Sequence, residues 1–209
     1  MSPGAQVDAN NVVGNVYDKY GTSNPIARRL MQGFLDAVTQ LYRVAQPTRV
    51  LEVGCGEGEL AAHLWEVGPR PERFEICDVD LDRLRPDLPD ALIARQASIY
   101  ELPWPDDAFD LVLCCEVLEH LHDPGRGLAE LARVARHHVL LSTPWEPVWR
   151  VLNMARGRYL GALGNTPGHV QHFGRRGLAR LARTELRLVA QRTPLPWTVL
   201  LGTPRESHG

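Results

Sequence analysis

Lysine is almost missing from this chain: Lys19 stands alone among 209 residues, and the other 22 basic residues are arginines. These arginines are scattered against 25 acidic residues, leaving a formal net charge of −2. A protein that binds nucleic acid without regard to sequence shows a basic excess, so the composition argues against DNA and disfavours RNA as a partner. Also lacking are an apolar run near the ~18 residues a membrane helix requires and a basic-then-apolar leader. The expectation is a cytoplasmic protein with no membrane span. Cysteine is scarce: Cys55, Cys77, Cys114 and Cys115 form no CxxC pair, which points to reduced, buried thiols rather than disulfides or a zinc site. A chain of this length buries roughly 70% of its unfolded surface and folds without such staples.

What is present is an alternation. Asn24-Pro25 reads as an N-cap followed by proline at the first helical position. Ile26, Leu30, Phe34, Val38, Leu41 and Tyr42 then recur at three- and four-residue steps, predicting an amphipathic helix to about Val44. From Thr48 onward, strand-length apolar runs at 49–53, 74–80, 91–95, 109–115 and 138–142 alternate with helical patterns at 58–67 and 124–136. A helix near 175–184 and two apolar runs at 186–190 and 197–201 finish the chain. Strand–helix alternation predicts a parallel sheet covered on both faces. Residues 1–46 read as a tail and helix on the acceptor side. Residues 47–209 read as the main domain, with a substrate-side insertion at 143–172.

The most informative segment is Val50-Leu51-Glu52-Val53-Gly54-Cys55-Gly56-Glu57-Gly58-Glu59, an apolar strand running into alternating glycines and then a helix. A strand turning sharply into a helix beside a ligand needs glycine. A dinucleotide fingerprint has its last glycine where this chain has Glu59. Glu52, Glu57 and Glu59 surround the turn with carboxylates and no Lys or Arg, which repels pyrophosphate but suits a sulfonium with an amino-acid tail. The next strand ends in Asp78-Val79-Asp80, and Asp80 at its exit is the candidate for accepting hydrogen bonds from ribose hydroxyls.

These segments resemble the class I S-adenosylmethionine-dependent methyltransferases. VLEVGCGEGE is similar to their first motif, DVDLDRL to their second-strand acidic motif, and ELPWPDDAFDLVLCCEVLEHL to the run around their fourth strand. STP and GHVQHFGRRGLARLAR also match, so the resemblance covers about residues 48–190. It implies a doubly wound, Rossmann-like α/β fold: a seven-stranded sheet with its last strand antiparallel and helices on both faces. It implies S-adenosylmethionine bound at Glu52, Gly54, Cys55 and Gly56, its ribose at Asp80, its adenine against Leu81 near Ser98 and Ile99, and its sulfonium above Cys115. Ser98 replaces the family's frequent Asp, and Arg136-His137-His138 replaces its usual Lys-Pro-Gly-Gly.

The acceptor side is less defined. His120 and His122 follow the fourth strand, and His169 and His172 close the 143–172 segment. His120 and His172 are the acid–base candidates for a hydroxyl acceptor. Glu116, Glu119 and His120, spaced for one helical face, would with His172 make a metal-binding set, similar to small-RNA 2′-O-methyltransferases; no metal is assigned. Arg175, Arg176, Arg180 and Arg183 read as a solvated helix face, or as a surface for a phosphate-bearing or lipid substrate. Tyr17 and Tyr20 read equally as a lid or as packing aromatics. The expected partner is a small-molecule methyl acceptor, with O-methylation first. The rivals are a metal-dependent RNA methyltransferase, a nicotinamide-dependent oxidoreductase and a non-catalytic cofactor-binding protein.

Overall fold

A computed structural model describes residues 24–146, 148 and 170–205. Tyr17, Tyr20, His169 and most of the 143–172 insertion lie outside the described residues. Helix α1 spans Pro25–Ala45. Its N-cap works as the sequence predicts: the Asn24 carboxamide oxygen accepts from the backbone of Ile26 at 2.9 Å and Ala27 at 3.3 Å, satisfying two N–H groups the helix leaves open. Gln46 ends it in the left-handed conformation, its N–H donating to Tyr42.

The strands are β1 (Arg49–Val53), β2 (Arg73–Asp78), β3 (Leu92–Gln96), β4 (Phe109–Cys115), β5 (Ala135–Pro144), β6 (Leu186–Arg192) and β7 (Trp197–Pro204). The other helices are α2 (Glu59–Val67), α3 (Pro124–Val134) and α4 (Arg175–Glu185). The sheet runs β3-β2-β1-β4-β5-β7-β6. β1 to β5 are parallel, and the last strand, β7, is antiparallel to both β5 and β6. This is the seven-stranded Rossmann-like sheet the sequence implies. Among the described residues, no helix is long and apolar enough to cross a membrane.

Strand alternation explains the two cores. Leu51, Val53, Val112, Cys114, Val139 and Leu141 face Leu128, Leu131 and Val134 of α3 and Leu178 and Ala182 of α4. Their neighbours Val50, Phe74, Ile76, Leu111, Leu113 and Leu140 face Phe34, Val38 and Leu41 of α1 and Leu60 and Leu64 of α2.

Strand order reverses between β1, whose chain winds toward β3, and β4, whose chain winds the other way. Such a switch point opens a crevice at the carboxyl ends of the strands. The opposite end is closed by Asp110, which accepts from the backbone N–H groups of Thr48 and Arg49 at 3.0 and 2.9 Å and from the Thr48 hydroxyl. Partial burial works against the charge of Asp110, yet these bonds hold its carboxyl below the usual carboxylate range.

Candidate cofactor and acceptor site

The glycine turn sits at the switch point. Gly54, Gly56 and Gly58 all have positive φ. At Gly54 (φ +75°) a Cβ would stand 2.3 Å from a Val117 methyl, so no larger residue fits. At Gly56 (φ +55°) a Cβ would meet nothing within 4 Å. That open space over half-buried backbone is what a closely approaching ligand needs.

Asp78 anchors this turn. β2 stops there, two residues before the expected end, because its carboxylate accepts from the Gly56 N–H at 2.9 Å and the Asp80 N–H at 3.3 Å. Asp78 therefore braces the loop from beneath. Asp80 lies just beyond the strand, half-buried, its carboxylate accepting from the Asp82 N–H at 3.0 Å.

Glu52 is buried on β1, on the sheet face covered by α2, where its carboxylate accepts from the Ala61 backbone N–H. Burial, and then the nearby charge of Asp78, push its pKa up to about 8. Its Oε2 has no hydrogen-bond partner. An orphaned carboxylate oxygen beside an open glycine cradle fits a ligand carrying positive charge. Cys55 is a buried neutral thiol, its pKa raised by burial and then by Glu52 and Asp78.

The reading of Glu57 and Glu59 as ligand-facing carboxylates is corrected. Arg85 bonds Glu59 at 2.8 Å and Arg83 stands 3.8 Å from Glu57. The Arg85 N–H also donates to the Glu57 carbonyl. The loop after β2 thus returns arginines to the turn from some 26 residues away, which local sequence does not reveal. Leu81 is half-exposed and belongs to neither core cluster. Ser98 Oγ accepts from the Tyr100 N–H at 3.3 Å. Ile99 points its side chain into the core beside Gly127 and Leu121, so only its backbone can border a ligand.

Beyond β4 the chain makes a sharp turn. Cys115 is half-buried, a neutral thiol by burial, bonded to the Ser142 hydroxyl. Glu116 takes φ 61°, uncommon for a residue with a side chain. Its carboxylate accepts from Trp197 Nε1 at 2.8 Å and Ser142 Oγ at 3.2 Å, and its N–H donates to the Ser142 carbonyl at 3.1 Å. Trp197 in turn lies 5.1 Å from the ring of Phe34 in α1. Glu116 therefore ties the carboxyl ends of β4 and β5 to the amino end of antiparallel β7.

The single helical face proposed for Glu116, Glu119 and His120 is also corrected. Glu116 is left-handed, and only Leu118–His120 form a short 3₁₀ turn. Among the described residues, no three His, Cys, Asp or Glu side chains are grouped to hold a metal ion. Glu119 and His120 are buried and His172 is exposed. Even so, the segment carrying His172 docks on the turn carrying His120: the N–H groups of Val170 and Gln171 both donate to the Glu119 carbonyl at 2.9 Å.

A crevice at the switch point of a doubly wound sheet, with a glycine cradle on β1 and an acidic residue after β2, defines a nucleoside-binding doubly wound fold. The chain matches the methyltransferase domain family over residues 26–185 and belongs to it. It is 38% identical over 97 residues to a probable S-adenosylmethionine-dependent methyltransferase of Mycobacterium tuberculosis, 46% of this chain and 35% of that one. It is 32% identical over 115 residues to the ubiquinone biosynthesis O-methyltransferase of Alkalilimnicola ehrlichii, 52% of this chain and 47% of that one. The matched segments thus span less than half of either relative. Among solved structures, the magnesium protoporphyrin IX methyltransferase of Synechocystis, with S-adenosylhomocysteine bound, shares the fold at a TM-score of 0.63 and 15% identity, over 89% of this chain and 90% of that one. By family and fold the chain belongs to the class I S-adenosylmethionine-dependent methyltransferases, and the nicotinamide reading of its glycine turn falls with that membership.

Proposed function

We propose that the protein methylates a hydroxyl oxygen of a small-molecule acceptor, with the acceptor lying between the cofactor crevice and residues 170–172. The observation carrying this reading is the docking of residues 170 and 171 on the turn after β4, which brings the His172 segment and the His120 turn to one edge of the sheet. S-adenosylmethionine, when bound, supplies a methyl group on a sulfonium that an oxygen lone pair displaces.

The chain's own residues do the rest. The Gly54–Gly56 backbone and Glu52 hold the amino-acid end, Asp80 accepts from the ribose hydroxyls, and Leu81 covers one face of the base beside Ser98 and the Ile99 backbone. Cys115, a neutral thiol, closes the floor without offering a competing nucleophile. His120 and His172 serve as proton acceptors for the hydroxyl. Orientation of two reactants in such a crevice supplies up to roughly 7–11 kcal/mol of the barrier reduction. The one O-methyltransferase among the relatives described above agrees with an oxygen acceptor.

Calorimetric titration with S-adenosylmethionine, S-adenosylhomocysteine and NAD tests the cofactor assignment, and binding of the two sulfur ligands alone is expected. Asp80→Ala should weaken both about tenfold to a hundredfold, through loss of charge-assisted hydrogen bonds, without moving the melting temperature. Unchanged affinity removes Asp80 from the ribose role. His172→Ala should lower turnover about a hundredfold while leaving cofactor affinity alone. An unchanged rate and pH profile assigns His172 to the surface.

A further inference from the structure

Four arginines mark the start and outer face of α4, and the structure separates one from the rest. Arg176, Arg180 and Arg183 are exposed. Arg175 is turned inward, its guanidinium carbon 3.9 Å from the centroid of the Trp145 ring. Its Nε is buried and has no hydrogen-bond partner. No carboxylate among the described residues pairs with it, and the first turn of α4 contains no acid.

The position matters. Trp145 directly follows Pro144, the last residue of β5, and its N–H donates to the Pro196 carbonyl at 2.7 Å. Glu146 donates its N–H to the Phe173 carbonyl at 3.2 Å. Since Cys115 pairs with Ser142 in the sheet register, Trp145 lies three residues, roughly 10 Å of strand, beyond the residue opposite Cys115. Residues 170–175 thus cross the carboxyl edge from the end of β4 to the end of β5 and deliver Arg175 to the acceptor side.

A guanidinium held over an aromatic ring is fixed in place while its N–H groups keep their capacity to donate. A buried N–H donor without a partner costs free energy that a ligand oxygen restores. We propose that Arg175, positioned by Trp145, selects the acceptor by binding an oxyanion on it, a carboxylate or a phosphate. This rests on the acceptor side being as described under the proposed function. It narrows the substrate class to hydroxylated small molecules that also carry an acidic group.

The test is NMR of the arginine Nε–H resonances in protein saturated with S-adenosylhomocysteine, the Arg175 peak being assigned by its loss in Arg175→Gln. Benzoate and inorganic phosphate are titrated separately at millimolar concentrations, with neutral benzamide as control. The expected result is a saturable shift of the Arg175 peak with at least one anion and not with benzamide. Whichever anion shifts it identifies carboxylate or phosphate as the group read. Trp145→Leu, which keeps the charge but removes the platform, should weaken that anion about tenfold, with melting temperature recorded alongside. Absence of any saturable shift, an equal shift with benzamide, or unaltered anion affinity in folded Trp145→Leu overturns the proposal. Failure of S-adenosylhomocysteine to bind in the first step would instead refute the cofactor assignment.

Discussion

Glu52→Gln is expected to flatten the dependence of stability on pH between about 5 and 8 and to make the ligand-free protein more stable than wild type at pH 8. The Glu52 carboxyl has its pKa raised to about 8 in the folded protein by burial and then by Asp78, against roughly 4.3 in an unfolded chain. The folded state therefore binds the extra proton throughout this window. Stability from the neutral carboxyl is complete below the unfolded pKa and is lost as pH rises toward the folded value. The full span corresponds to about 5 kcal/mol at most. Glutamine has no proton to lose, so that slope disappears in the variant. With Glu52 holding the amino-acid end of the cofactor as proposed, the bound cation should act in the opposite sense, favouring the carboxylate. At pH 7 its binding to wild type should release close to one proton, seen as a dependence of the calorimetric heat on buffer ionisation enthalpy. Glu52→Gln should abolish that release and weaken binding. Parallel melting curves for the two proteins between pH 5 and 8 would place the titrating group elsewhere.

Trp197→Ala is expected to cost about 3–5 kcal/mol, the range for truncating a large buried aromatic. The ring is 3% exposed and packs against Phe34, so its removal opens a cavity between β7 and α1. It also deletes the N–H donor to Glu116 at 2.8 Å. Trp197→Phe separates the two effects, keeping most of the ring while losing the donor, for about 1–3 kcal/mol. Because Glu116 adjoins Cys115 at the crevice, Trp197→Phe should also weaken S-adenosylhomocysteine binding. Combined with Glu116→Ala, which removes the acceptor, its cost should be less than additive. Strict additivity would show that the hydrogen bond contributes nothing to stability. Denaturant unfolding of the four proteins gives the answer.

Most of the fold was legible because local rules and global packing agree. Asn24-Pro25 announces one helix start and the periodic pattern from 124 another, both placed by the structure where expected, and the apolar runs at 49–53 and 109–115 have the observed strand bounds. The glycine turn was equally visible, since a strand followed by alternating glycines admits few conformations. What stayed hidden depends on contacts between distant residues. Nothing near Glu59 indicates that Arg85 covers it. Asp78 and Asp80 look alike until the strand is seen to end at the first, and Ile99 shows its place only when Gly127 packs over it. Spacing of Glu116, Glu119 and His120 suggests a helix, but hydrogen bonds from Trp197 and Ser142 hold Glu116 in another conformation. Arg175 resembles its neighbours in sequence, and only Trp145, thirty positions earlier, distinguishes it.

The sheet order has a consequence for synthesis. β1 lies between β2 and β4, yet β4 follows it by some fifty residues. A growing chain that has released only its first three strands presents Val50 and Leu51 on an unpaired edge, and its glycine cradle lacks the far wall formed by Cys115 and Val117. The crevice is complete only once β4 has been inserted beside β1. Cofactor capture on the ribosome would therefore report completion of that insertion.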